Sequence, residues 1–273
     1  MTLKVSVIVP VFNGELTISR AISSVNEQTR SALEIIVIND ASTDATGAVL
    51  GKLTQTPNTP LIVVTNPENV GPGVSRNTGW ALARGDLIAF LDADDTWHPR
   101  KLELQVPRFE SNSKLKMACH DRSVGSILSW QPIDSRGVTW RDFSFKHFLV
   151  RNRCATPSVI VRKELPERFD TSLRFAEDFH LWLTLTSTYG PVSYTSEVLV
   201  HCENPSYGGA GLSGNYWMMF KSEARAFLLL AKSGRLSWWL LPLVIMWSTT
   251  KFGIRLIDST VLGSRLQTVS ESR

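Results

Sequence analysis

A chain of 273 residues with 43% hydrophobic and 20% charged side chains can bury a substantial core and is ordinary in composition for a folded protein. Its net charge of +4 is small and dispersed, with no arginine-rich run or aromatic RNA-binding signature, so no nucleic acid partner is expected. Three cysteines, Cys119, Cys154 and Cys202, are odd in number and widely separated, which argues against a disulfide framework or a zinc knuckle and for a reducing compartment.

Strand-like and helix-like segments alternate through the first hundred residues. Val5–Val9, Ile35–Ile38, Leu61–Val64 and Leu87–Leu91 are short runs rich in Val and Ile, and candidate helices lie between them at Glu15–Gln28, Asp44–Leu53 and Val74–Arg84. Strands this apolar on both faces, joined by helices, predict a three-layer α/β/α fold with a mostly parallel central sheet and ligands at the strand C-terminal ends. The first run reaches Pro10 with no small-residue cleavage site, so it reads as a strand and not a leader, and the protein is expected in the cytoplasm. Beyond residue 98, Pro99–Glu110 reads as a helix, Thr156–Arg162 as a strand, Asp178–Thr188 as a helix and Val192–His201 as a strand. These are expected to complete the same domain.

The loops at the predicted strand ends carry the chemistry. Leu87–Leu91 runs directly into Asp92-Ala93-Asp94-Asp95, and clustered carboxylates at a sheet edge suit a divalent cation that carries a phosphorylated ligand. An EF-hand is ruled out because Trp97 stands where its turning glycine belongs. Asn39-Asp40-Ala41-Ser42-Thr43-Asp44 offers either a base or ribose contact through Asp40, or helix capping alone. Gly71 and Gly73 begin a Gly-x-Gly-x-x-Gly pattern, but Arg76 occupies its last glycine, so the dinucleotide fingerprint fails. Glu177-Asp178 heads an amphipathic segment, where a carboxylate suits the helix dipole as well as it suits catalysis.

Taken in order, Val5-Ser6-Val7-Ile8-Val9-Pro10-Val11-Phe12-Asn13, Ile38–Asp44, Asn69-Val70-Gly71 through Arg76-Asn77, Asp92-Ala93-Asp94-Asp95 and Glu177-Asp178 resemble the signature of family 2 glycosyltransferases, over roughly Val5 to Ser213. The resemblance implies an A-type nucleotide-sugar-binding fold and a nucleoside diphosphate sugar, by preference a UDP-sugar, as donor. It implies that Pro10, Phe12 and Glu15 line the nucleoside pocket, that Asp40 contacts the base, and that Arg76 and Asp92 lie on the donor side. Asp94 is then the ligand for Mn2+ or Mg2+, His201 a further metal or phosphate contact or simply a strand-end histidine, and Asp178 the general base. Asn39 departs from the acidic residue common in relatives and removes one charge.

In such a transfer the metal offsets charge on the departing diphosphate while Asp178 takes the proton of the attacking acceptor hydroxyl, and a single in-line displacement inverts the anomeric carbon. A glycosidase also uses paired acids, but that reading leaves the nucleotide-like loops unexplained. A catalytically silent sugar-nucleotide-binding or membrane-assembly subunit is the competing reading, and intact Asp94 and Asp178 argue against it.

The domain plan is a catalytic domain at 1–213, a helical extension at 214–260 and a flexible tail at 261–273. Within the extension, Asn215–Lys232 reads as a helix, and Leu236–Thr250 is an uncharged run with Trp238, Trp239, Pro242 and Trp247. As a helix that run reaches only about 22 Å, short of a bilayer core of about 30 Å. With Lys232, Arg235, Lys251 and Arg255 beside it, the segment suits the cytoplasmic membrane interface, the surface of the catalytic domain or a second subunit of a homo-oligomer. Membrane contact would favour a lipid-linked acceptor over a free saccharide, in surface polysaccharide assembly.

Overall fold

The computed structural model describes residues 2–53, 59–125, 129–203 and 216–254. The first half alternates strand and helix: β1 (Val5–Val11), α1 (Ile18–Asn26), β2 (Glu34–Asn39), α2 (Thr46–Leu53), β3 (Leu61–Thr65), α3 (Pro72–Leu82) and β4 (Leu87–Phe90). The second half is less regular: β5 (Thr96–Trp97), α4 (Lys101–Ser111), β6 (Met117–Val124), β7 (Arg141–Phe143), α5 (Phe145–Val150), β8 (Ile160–Arg162), α6 (Glu177–Tyr189), β9 (Val192–Cys202) and α7 (Tyr216–Lys232). A last helix, α8, occupies residues 241–254.

The strands form one mixed sheet in the order β3-β2-β1-β4-β8-β6-β9-β5, with β7 added alongside β9. β1 to β4 are parallel, as their apolar runs predict, while β8 pairs antiparallel with both β4 and β6. Alternation along β1 and β2 divides the core. Val5, Val7, Val9, Ile35 and Val37 face α1, α2 and α4, whereas Ile8, Ile36 and Ile38 face Trp80 of α3 and Trp182 of α6. Helices on both faces bury these strands completely, giving the expected three layers.

The α3 helix approaches β1 so closely that a Cβ on Gly79 would stand 2.5 Å from Ile8 Cγ2. Gly79→Ala is therefore expected to lower stability by about 1–3 kcal/mol, measured by denaturant unfolding, despite alanine's better helix propensity.

Three expectations are corrected. Thr156-Pro157-Ser158 forms a 3-10 turn, so the strand expected over Thr156–Arg162 is confined to Ile160–Arg162. The helix expected from Pro99 begins at Lys101. Cys119 of β6 and Cys154 are joined by a disulfide with their Cα atoms 5.9 Å apart, because the turn that follows Cys154 packs on β6; Cys202 stays free and buried. The cysteine argument for a reducing compartment loses its support.

The C-terminal helices join the same core. Phe227, Leu230, Ala231, Leu236 and Val244 pack with Trp182, and Phe179 of α6 meets Phe227 of α7 edge-on, ring centroids 5.7 Å apart. The expected boundary after Ser213, Arg255 and the tail lie outside the described residues. Among the described residues, no helix is long and apolar enough to cross a membrane.

Candidate active site

The strand order reverses between β1 and β4, since β2 and β3 extend the sheet one way and β4 the other. In such sheets the crevice outside the strand C-termini at this switch point holds the ligand. Pro10 helps to open it. Pairing of β1 with β4 ends at Ile8, whose carbonyl accepts the Leu91 N–H, and alternation turns the Pro10 nitrogen towards the same side just beyond. The missing N–H thus falls where β4 has already turned away into Asp92-Ala93-Asp94.

The loops after β1 and β2 are laced together. Asn13 accepts from the Thr43 N–H at 2.8 Å, and the Asn13 N–H donates to Ser42 Oγ at 3.0 Å. Glu15, expected in the nucleoside pocket, accepts the Ala45 N–H at 2.7 Å and so holds the start of α2. Phe12 is 50% exposed at the mouth of the crevice. Asp40 is buried and accepts three donors from the loop after β3: Asn66 Nδ2 at 2.7 Å, the Val70 N–H at 3.1 Å and the Gly71 N–H at 2.8 Å. A carboxylate offers about four acceptor positions, so about one remains for a ligand. Gly71, at φ 88°, lets the loop wrap around Asp40.

Arg76 joins the acidic motifs. Only 5% exposed on α3, its guanidinium donates to Asp92 Oδ1 at 2.7 Å and to Glu177 Oε1 at 3.0 Å, and it lies 5.4 Å from the centre of the Phe169 ring. Burial works against its charge, but Asp92 and Glu177 hold it firmly protonated, its pKa raised. Gly73, one turn earlier, keeps Glu177 in place: a Cβ there would meet Glu177 Cγ at 3.1 Å. The glycines that failed the dinucleotide pattern thus shape the loop around Asp40 and leave room for Glu177.

Glu177 and Asp178 occupy the first turn of α6, set by Ala176 in the left-handed region at φ 56°. Asp178 Oδ2 accepts the Thr156 hydroxyl at 3.1 Å and Oδ1 the Phe179 N–H at 2.6 Å. Burial raises the Asp178 pKa despite the pull of Arg76, while burial and the Asp178 charge push Glu177 up to about 7 against Arg76. A carboxylate moved towards neutrality is suited to accept a proton.

The acidic run after β4 divides by environment. Asp92 is held by Arg76, and Asp94 is half-buried, its carbonyl accepting from Arg20 at 3.1 Å. Asp95 is buried, accepts the Cys202 thiol at 3.3 Å and is pushed up to about 8 by burial and the charges of Asp92 and Asp94. The Cys202 thiol gives it an internal partner. Among the described residues no three His, Cys, Asp or Glu side chains converge on a metal position. Asp94, with Asp92 behind it, nevertheless fits an ion such as Mg2+, which takes one or two carboxylates and completes its coordination on phosphates and water.

His201 is not part of this cluster of acids. Strand alternation sends Cys202 to Asp95 and His201 the other way, where Nδ1 lies 3.1 Å from Ser123 Oγ and the ring lines a separate groove of about 460 Å³. Burial lowers its pKa, which keeps the ring neutral. Thr156 and Arg20 are site neighbours that the sequence reading missed. A lone threonine before a proline carries no signal, and Arg20 sits in an ordinary amphipathic helix.

Comparison with known proteins identifies the family and the fold. The family model described as "Glycosyl transferase family 2" matches residues 6–163. An uncharacterized glycosyltransferase of Nostoc sp. is 40% identical over 119 residues, covering 43% of this chain and 36% of that protein. The Escherichia coli UDP-Glc:alpha-D-GlcNAc-diphosphoundecaprenol beta-1,3-glucosyltransferase WfgD is 31% identical over 181 residues, covering 66% of this chain and 69% of the enzyme. The chain thus spans from about a third to about two thirds of the length of these curated relatives. Among solved structures, Staphylococcus aureus TarS 1–349 in complex with UDP-GlcNAc aligns with a TM-score of 0.69 at 18% identity, over 94% of this chain and 73% of that one. The mannosyltransferase PcManGT from Pyrobaculum calidifontis in complex with GDP-Man and Mn2+ aligns with a TM-score of 0.66 at 17% identity, over 100% of this chain and 80% of that one. At such identities the likeness establishes a common fold, and with the family match it shows that this chain belongs to glycosyltransferase family 2.

Proposed function

We propose that the protein is an inverting glycosyltransferase that moves a sugar from a UDP-sugar to an acceptor hydroxyl, in surface polysaccharide or glycolipid assembly. The observation that carries this reading is the Arg76 bridge, which ties Asp92 after β4 to Glu177 beside Asp178. It sets a donor-side carboxylate and a base candidate on one crevice at the strand ends.

In this reading Phe12 and the loop held by Asp40 receive the nucleoside, and Asp94 with Asp92 holds Mn2+ or Mg2+. When bound, such an ion supplies positive charge against the diphosphate as it leaves. Asp178, held by Thr156 and the Phe179 N–H, takes the acceptor's proton on the opposite side of the sugar. Proton removal and departure of the diphosphate then occur in one displacement, and the anomeric configuration inverts. The name of the E. coli relative, with UDP-Glc as donor and a diphosphoundecaprenol-linked sugar as acceptor, supports a UDP donor and a lipid-linked acceptor here.

The test is thermal stabilisation by UDP, GDP and dTDP, each with and without Mn2+, in the wild type and in Asp94→Asn. UDP with Mn2+ at a hundred times its dissociation constant is expected to add about 2.7 kcal/mol of stability, and Asp94→Asn to lose most of the metal-dependent part. Stabilisation by another nucleotide would change the donor assignment. No stabilisation by any of them would favour a silent assembly subunit.

A further inference from the structure

The C-terminal helices bury one face and leave the other open. On α8, Val244 and Ser248 point into the protein, while Leu243, Met246, Trp247 and Ile254 are exposed at helical spacing. The turn before it adds Trp238 and Trp239, exposed by 59% and 71%. The Trp247 indole donates to the Val150 carbonyl at 2.8 Å, which brings the exposed Val150 of α5 onto the same surface. The apolar surface is thus continuous over two elements distant in sequence, more than scattered surface residues produce.

The two stretches of chain that build it carry charge of one sign. From Lys232 to Ile254, and from Phe143 to Ala155, the chain contains no Asp or Glu. Lys232 and Arg235 stand exposed at the tryptophan end, and Lys146, Arg151 and Arg153 stand exposed around Val150. Lys251 does not contribute, since it pairs with Glu223. A twofold dimer through this face would set these cations against their own copies. Tryptophans rimmed by cations suit the boundary of an anionic bilayer, where indoles sit at headgroup level and basic side chains meet lipid phosphates.

We propose that this face, from Trp238 along α8 to Val150, docks the protein on an anionic lipid surface, with α8 lying in the plane of the interface. The proposal adds a partner to the glycosyltransferase reading, and its test does not depend on transfer activity.

The experiment is co-sedimentation of the full chain with phosphatidylcholine vesicles and with vesicles that also contain phosphatidylglycerol. Binding is expected to the anionic vesicles, to weaken with salt, and to fall about tenfold or more in Trp238→Ser/Trp239→Ser, which removes two exposed indoles without touching the core. Arg151→Glu/Arg153→Glu is expected to reduce binding to the anionic vesicles selectively. Melting temperature and UDP stabilisation, measured on the same samples, report the fold and the donor site separately. Absence of binding, or binding that both variants leave unchanged, would overturn the proposal. So would a solution dimer that Trp238→Ser/Trp239→Ser dissociates in a chain that ignores vesicles.

Discussion

Asp178→Asn is expected to reduce sugar transfer by about 10²- to 10⁴-fold while UDP still stabilises the fold. Asparagine keeps the shape of the side chain and an oxygen for the Thr156 hydroxyl or the Phe179 N–H, so α6 should start as before. What it removes is the basic oxygen. The wild-type pH profile carries the same information: burial raises the Asp178 pKa above its ordinary 3.8, so the acid limb of kcat/KM should lie above that value and vanish in the variant. A proportional loss of UDP affinity would instead place Asp178 on the donor side.

Arg76→Met should destabilise the protein by about 3 kcal/mol, near the low end for breaking a buried ion pair because Asp92 is partly exposed. Glu177 is buried, and among the described residues Arg76 is the cation that pairs with its carboxylate. Activity should fall as well, since Asp92 and α6 lose their common tie. Arg76→Lys is not expected to rescue, because one ammonium cannot fork to both acids in that geometry. A double-mutant cycle with Glu177→Gln separates the clamp from a general loss of packing: a clamp requires a coupling of about 0.5–3 kcal/mol, and additivity would refute it.

The pH dependence has a definite sign. Glu177 has a folded pKa near 7 against an ordinary 4.5, so the folded state binds more protons between those values and its contribution to stability declines as pH rises through that window. Removing the Arg76 cation raises the folded pKa further and extends the window upwards, visible as a steeper loss of melting temperature above neutrality.

Much of the first half was legible in sequence because β1, β2 and β4 are buried on both faces and show as nearly continuous apolar runs. β6, written MACHDRSV, is buried only over its first four residues and carries no such run. β5 has two residues and no pattern at all. At the site, the acidic motifs announced themselves through composition, but the direction of Arg76 did not. The resemblance put it on the donor side without showing its partners, and the helix turns it inwards to Asp92 and Glu177. The Cys119–Cys154 pair and the Thr156–Asp178 bond depend on chain segments that meet only after the sheet has formed. The outward face of α8 was equally hidden, because a segment apolar all round does not show which side is covered.

The edge-on contact between Phe179 and Phe227 links the residue after Asp178 directly to the C-terminal helices. If those helices rest on lipid, the reacting carboxylate stands at a set height above the bilayer, like a stylus on a fixed arm. An acceptor anchored in that bilayer would then be selected by how far its hydroxyl projects, and glycans too short or too long would miss the carboxylate whatever their sugar identity.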